Sequence, residues 1–336
     1  MGDIIRNFGD YKRAALAVTA VGVVALYGAA IAYPVDRPAR EALDWIALPQ
    51  VEFSAESDRP AIDDGDMVRV ATADDLRDML EAADYDLRPV RRGHTRVPRL
   101  FVERLPENFD EEMVVDERKR VFIRTILPLV LKVNEEVRAE RRRLVALEEQ
   151  ILSGRDISDS AETWLSKLAE KYDVASGDFA ELLRRVDMVS PTLALAQAIE
   201  ESGWGRSRFA RHGNALFGQR AWSQGAGFVP EERAEGAQFE VRAFASLLDS
   251  VRSYVVNLNR HYAYDDYRIA RANMRAGSVS LDGRELAKTL VSYSERREAY
   301  VEALLGLIRT NRLDQFEVAK LSTEPFDADA VQLASR

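Results

Sequence analysis

The chain has 336 residues, 46% hydrophobic and 31% charged, which is enough apolar content to close a core and too much for long-range disorder. A formal net charge of −9 argues against a basic face for nucleic acid. With no cysteine, and with only His94, His212 and His261 scattered along it, the chain excludes disulfides, thiolate metal sites and a His-Glu-x-x-His zinc centre, and no metal or cofactor is expected.

Residues 14–32, "AALAVTAVGVVALYGAAIA", carry no charge and follow Lys12 and Arg13. About twenty apolar residues cross a hydrocarbon core, whereas the apolar region of a cleaved signal runs only about 7 to 15. The run therefore predicts a single-pass anchor, with residues 1–33 as a cytoplasmic tail and span. Ala30-Ile31-Ala32 has the small-x-small spacing of a cleavage site and keeps a secreted form, cut near Ala32, as the alternative. Arg6, Lys12 and Arg13 precede the span and Arg37 and Arg40 follow it, which places the rest of the chain outside the cytoplasm.

Residues 34–115 read as a linker and a small N-terminal region. Its start, with "SAESDRPAIDDGD", is rich in acids, serine and proline and lacks sustained periodicity. In "TADDLRDMLEAA", residues 72–83, a threonine cap, early acids and Leu76, Met79 and Leu80 at helical spacing predict a short helix. A long helix is predicted over 116–152, where Phe122, Ile126, Val130, Val133, Val137, Leu144, Leu147 and Ile151 recur mostly every three or four residues. Pro128 should kink it or mark its true start. The charged stretch 134–150 reads as a solvated face, with a coiled-coil partner as the sharper alternative.

"SGRDISDS", residues 153–160, breaks the pattern and is the predicted boundary of a domain over 158–315. Helical spacing resumes with Trp164, Leu165, Leu168, Ala169 and Tyr172, then with Phe179, Leu182, Leu183 and Val186. Residues 322–336 carry too little apolar surface to dock and read as a mobile tail.

Within the predicted domain, Ser190-Pro191 is a strong helix start and Gly203 a natural left-handed stop. Glu200 and Glu201 then fall in the last turn, where the negative end of the helix dipole disfavours an ionised carboxylate. A covering Trp204 or Phe217 would desolvate the carboxyl and push the same way. A glutamate kept protonated is what glycosidic cleavage requires of its acid. The alternative is two exposed surface acids beside a glycine stop, and helical periodicity does not choose between Glu200 and Glu201.

"ALAQAIEESGWGRSRFA" followed by "NALFGQ" resembles the signature of bacterial glucosaminidases of glycoside hydrolase family 73. "HGNALFGQRAW", "GFVPEERAEGAQFEVRAFASLLDSVRSYVVNLNRHYAY" and "YSERREAYVEALLGLIRTNRL" are similar to the Bax-type branch of that family, over roughly residues 160–315. The resemblance implies a mainly α, lysozyme-like domain with a small β-hairpin lobe. It also implies cleavage of the β-1,4 bond after N-acetylglucosamine in peptidoglycan, with the domain in the periplasm of a bacterial inner-membrane protein. Matched by motif, the general acid is Glu201, directly before Ser202-Gly203-Trp204-Gly205.

The family takes its second catalytic group from a hairpin after the Phe-Gly segment, and "GFVPEERAEGAQFEVRAF" is the convincing hairpin here. Strand alternation puts Gln238, Glu240, Arg242 and Phe244 on one face, so Glu240 could look into a cleft beside a cation or form a cross-strand ion pair. Glu232, Glu231 and Glu235 are its rivals. Tyr293, before Ser294 as a candidate helix cap, resembles the tyrosine of the wider family's Tyr-Ala-Thr-Asp-type motif, although "YSERREAY" departs from those letters. Tyr300 is assigned to the core by helical spacing. Trp204, Phe217, Trp222, Tyr262 and Tyr264 are candidates to contact sugar rings, and Asn214 and His212 to position the loop or an N-acetyl group. A lytic transglycosylase or a non-catalytic peptidoglycan-binding scaffold stand as the other readings.

Overall fold

The computed structural model describes residues 67–109, 113–221, 227–228 and 240–326. The predicted span 14–32, the linker 34–66, Trp222, Glu231, Glu232, Glu235 and residues 327–336 lie outside them. Among the described residues no helix is long and apolar enough to cross a membrane. The described chain is mainly helical, as expected.

It begins with a strand, β1 (Met67–Val68), two helices, α1 (Ala73–Ala82) and α2 (Leu87–Arg91), and a second strand, β2 (Phe101–Val102). The strands pair in parallel, Met67 with Phe101 and Val68 with Val102. Helix α1 starts where predicted: Thr72 and Asp75 form a reciprocal capping box, and Leu76, Met79 and Leu80 are buried. Farther along, Val97 bridges in parallel to Leu321, donating its N–H to Lys320 O at 2.8 Å and accepting from Ser322 N at 2.7 Å. Residues 322–326 thus begin beside the N-terminal region, where a free tail was expected.

The long helix, α3, spans Val115–Leu152, one residue from the predicted start. Pro128 neither begins nor ends it. A proline inside a helix costs about 3 kcal/mol through its missing N–H and its clash with the preceding turn. Here Ile126, Leu127, Leu129 and Val130 are all fully buried around it, and that packing outweighs the local cost.

The charged stretch of α3 has the expected solvated face, with Arg138, Arg142, Arg143 and Glu149 exposed, and is tied into the fold along its other side. Helices α4 (Asp159–Tyr172), α5 (Phe179–Arg185), α6 (Pro191–Ser202), α7 (Arg208–Gly213) and, after the β-lobe, α8 (Leu247–Arg260) follow it in sequence. Glu136 takes a two-pronged hydrogen bond from Arg252 of α8, both arms 2.9 Å. Glu140 accepts from Lys171 at 2.6 Å and from Tyr172 Oη at 2.8 Å, both on α4. Buried Asn134 donates to Val189 O at 2.8 Å and accepts from Val189 N at 2.9 Å. One set of buried residues runs from Val68 through α3 to Leu321. Residues 153–158 are a turn between helices that share this core, not a gap in it.

The β-lobe comprises β3 (Arg220–Ala221), β4 (Gly227–Phe228) and β5 (Glu240–Arg242), in the order β3-β5-β4 and all antiparallel. The predicted hairpin is β4 with β5, in the register Gly227 to Arg242 and Phe228 to Val241, and β3 adds a third strand on its other side. Helices α9 (Asp265–Ala276), α10 (Gly283–Ala287) and α11 (Glu298–Asn311) complete the fold.

Candidate active site

The site is built on α6. Ser190 caps it, its Oγ accepting from Leu193 N at 3.1 Å, and Pro191 takes the first helical position. Every residue from Pro191 to Ile199 is buried. Such a helix, apolar all round, is wrapped by the rest of the fold and is a rigid mount for whatever stands at its end. The helix stops at Gly203, at φ 58° and ψ 46°, as the sequence predicts.

The last turn separates the two acids that periodicity left equivalent. Glu200 Oε1 is paired with Arg296 Nη1 at 2.5 Å on the surface. Glu201 faces inward among tyrosines. Its charge is felt by the phenols of Tyr300, Tyr293 and Tyr264. Opposite it stands Gly218, at φ +59°, where a Cβ would come within 2.9 Å of Glu201 Oε2. The bare backbone at "Phe-Gly" is therefore a requirement of close approach to this carboxyl, not only of a turn.

The tyrosines hold one another. Tyr293 stacks on Tyr300 at 5.5 Å and 6° and packs against Tyr264 at 5.6 Å, while its hydroxyl donates to Phe217 O at 3.3 Å. Phe217 stacks on Tyr254 at 3.9 Å and 7°. Tyr254 Oη donates to Gln197 Oε1 at 2.8 Å, and Gln197 Nε2 donates to Tyr300 Oη at 3.0 Å. Burial, and after it the charge of Glu201, pushes the Tyr300 phenol well above its ordinary range. Burial, then Tyr300 and Glu201, does the same to Tyr293, and Tyr264 is raised chiefly by burial. All three remain neutral phenols at any physiological pH and can only donate or accept hydrogen bonds.

Other predicted residues have other duties. Glu240 opens β5, the central strand, opposite Ala221. Trp204, at φ +63°, meets Phe122 of α3 edge-on at 6.0 Å with Lys119 Nζ 5.2 Å from its ring. Phe217 is 2% exposed and stacks on Tyr254 in the core, and the following glycine is the residue that faces Glu201. Buried Asn214, a left-handed cap at φ 53°, donates to Phe244 O at 3.0 Å and Ala245 O at 3.2 Å. Its Nδ2 thus holds the loop to the segment that follows β5. Tyr264 is buried beside Tyr293, whereas Tyr262 is 58% exposed and stacks on His261 at 4.5 Å, offering an aromatic face.

Ser294 does not cap a helix: α11 starts at Glu298, after Arg297 at φ 47° and ψ −118°. Tyr293 does lie in a turn ahead of it, as expected. The residues that sequence reasoning missed are Tyr300, Gln197 and Tyr254. Tyr300 is indeed core, at 1% exposure, and yet its hydroxyl accepts from Gln197 and feels the charge of Glu201. Gln197 carried a legible signal, being four residues before Glu201 and on the same helix face. Among the described residues no group of three or more His, Asp or Glu is placed to hold a metal.

Residues 177–313 match the Glucosaminidase family model, described as mannosyl-glycoprotein endo-beta-N-acetylglucosaminidase. Protein bax of Escherichia coli strain K12 is 30% identical over 201 residues, which are 58% of this chain and 70% of that relative. No solved structure matches the chain at a significant level.

Proposed function

The chain belongs to the glucosaminidases, in their Bax-type branch, and from that premise we propose that it hydrolyses the β-1,4 bond after N-acetylglucosamine in peptidoglycan, with Glu201 as general acid. The family domain by itself points to a glycosidase. The observation that supports Glu201 is its setting: at the end of a buried helix, among buried tyrosines and opposite a glycine that leaves room beside its carboxyl.

In the proposed step the carboxyl proton of Glu201 passes to the glycosidic oxygen as that oxygen's bond to C1 breaks. Water then adds its oxygen to C1 and gives its proton to the partner carboxylate, and Glu201 is reprotonated from solvent. The proposed partner carboxylate is Glu240, at the head of the central strand of the β-lobe, and Tyr293 is proposed to line the reacting centre. Tyr262 and Trp222 are the aromatic residues proposed to meet sugar rings. Two positioned side chains suffice for this chemistry, so no cofactor is invoked. From the sequence of residues 14–32 we further propose a single-pass inner-membrane anchor with the enzyme domain in the periplasm.

The test is mass spectrometry of the products of purified peptidoglycan after incubation with the full chain. Reducing-end N-acetylglucosamine is the expected product, and Glu201→Gln should slow its release on the order of a hundredfold to ten-thousandfold. Anhydro-muramyl ends would reassign the chain to the lytic transglycosylases, and glycan binding without cleavage would make it a scaffold.

A further inference from the structure

Gln219 comes directly after the glycine that faces Glu201. It is 7% exposed, and neither its Oε1 nor its Nε2 has a hydrogen-bond partner among the described residues. Other buried amides use both ends: Gln197 between Tyr254 and Tyr300, Asn134 on Val189, and Asn259 between Asp187 O and Arg271. A buried donor or acceptor with its hydrogen bond unmade is destabilising. A chain that keeps two such atoms on one side chain breaks a local rule, and such breaks belong to functional sites.

The backbone that carries this amide is pinned on both sides. Gln219 O accepts from Arg242 N at 2.8 Å, and two residues earlier Phe217 O accepts from Tyr293 Oη at 3.3 Å. The first bond extends the pairing of β3 with β5 by one step, so Gln219 is opposite Arg242 as Ala221 is opposite Glu240. Period-two alternation then puts positions 219, 221, 240 and 242 on one face of the β-lobe. Gln219 is thus one residue, about 3.8 Å of backbone, past the glycine beside Glu201, and in register with the strand that begins at Glu240.

Resting on the reading of Glu201 as the acid, we infer that Gln219 binds the acetamido group of the sugar whose C1 loses the glycosidic oxygen. Nε2 donates to the acetamido carbonyl, and Oε1 accepts from a hydroxyl of the same ring. The carbon that bears the acetamido group is bonded to C1, so the residue next to the one facing the acid is placed to meet it. An amide suits this task because it both gives and accepts hydrogen bonds. It also carries no charge, and so holds a ligand beside Glu201 without disturbing that carboxyl's proton. A sugar without the acetamido carbonyl leaves Nε2 unpaired, and a site built around a hydrogen bond rejects the ligand that cannot make it.

The experiment uses the full chain as Glu201→Gln, which keeps glycan intact, and two neutral probes, the β-1,4 tetramer of N-acetylglucosamine and the β-1,4 tetramer of glucose. The side-chain amide resonances of Gln219 are identified by their loss in Gln219→Met. They should move as the N-acetylglucosamine tetramer saturates the protein and stay in place with the glucose tetramer. Gln219→Met, which keeps length and volume, should weaken the first tetramer about tenfold and leave the second as it was. Its melting temperature should equal or exceed that of its parent, because buried polar atoms that the chain does not satisfy are gone.

Unmoved resonances, or unchanged affinity of Gln219→Met for the acetylated tetramer, overturn the assignment. A lower melting temperature with unchanged affinity marks a structural amide, and equal losses on both tetramers move Gln219 to ring hydroxyls or a bound water; either result also overturns it. If Gln219 selects the acetylated tetramer and the chain with Glu201 intact cleaves no peptidoglycan, the subsite stands and the hydrolase reading falls. If the chain is a hydrolase and Gln219→Met binds and cleaves as its parent does, the reading stands and the subsite falls.

Discussion

At the scale of single residues, the pair Glu200 and Glu201 shows what a side chain's neighbours decide and its sequence position does not. Glu200→Gln removes a surface ion pair with Arg296, whose side chain is 56% exposed, and such pairs contribute less than about 1 kcal/mol. Melting temperature and turnover should both stay close to those of the parent. Gly218→Ala, in contrast, adds one methyl group where φ is +59° and Glu201 Oε2 lies 2.9 Å away. The backbone cost for a non-glycine residue in the left-handed region is roughly 1–2 kcal/mol. We expect a measurable fall in melting temperature together with a larger fall in kcat, read on the same preparation, because the carboxyl must shift to make room. The Glu-Ser-Gly-Trp-Gly motif made Glu201 legible in the sequence. Tyr300 was half legible, because spacing that marks a core position says nothing about which polar group the hydroxyl meets.

At the scale of elements, α6 is anchored at the end opposite its acid by a second glutamate. Ser190 Oγ donates to Glu317 Oε2 at 2.6 Å, and Thr192 Oγ1 donates to Leu313 O at 3.2 Å nearby. Burial is the main influence on Glu317 and pushes it up from 4.5 to about 6, against the pull of the Ser190 hydrogen bond. The folded protein therefore holds this proton more tightly than the unfolded chain. The contribution is complete below about pH 4.5 and is lost as pH rises through about 6, on the order of 2 kcal/mol in all. Thermal unfolding followed from pH 4 to 7 should show that decline, and Glu317→Gln should flatten it. A stability curve unchanged by the substitution would remove Glu317 as its source. Caps made the helices readable: Thr72 and Ser190 each announced a start that the structure places at the next residue. Strands β1 and β2, two residues each, carry no period, and partners more than thirty positions apart leave no local trace.

At the scale of the whole molecule, the sequence suggested a charged helix ahead of a separate domain, and the folded chain has one core containing both. The carboxylates of α3 were patterned like a solvated face because the cations that meet them, Lys171 and Arg252, lie far along the chain. Residues 158–315 produced alone would leave the Asn134 partner at Val189 and the apolar surface under Val130 and Leu144 uncovered. Circular dichroism and amide NMR should find that fragment unfolded or aggregated, whereas a chain beginning at residue 67 should fold. Phe122→Ala in α3, under Trp204, should cost about 3–5 kcal/mol in urea unfolding. The strand-like bridge between Val97 and Leu321 also has a meaning for biosynthesis. Arg91 lies over Phe316 at 4.2 Å, and Arg96 and Arg99 reach the carbonyls of Leu321 and Ser322, so the region around β1 and β2 is completed by residues made much later. A nascent chain still emerging from the ribosome lacks that clasp until synthesis has passed residue 322.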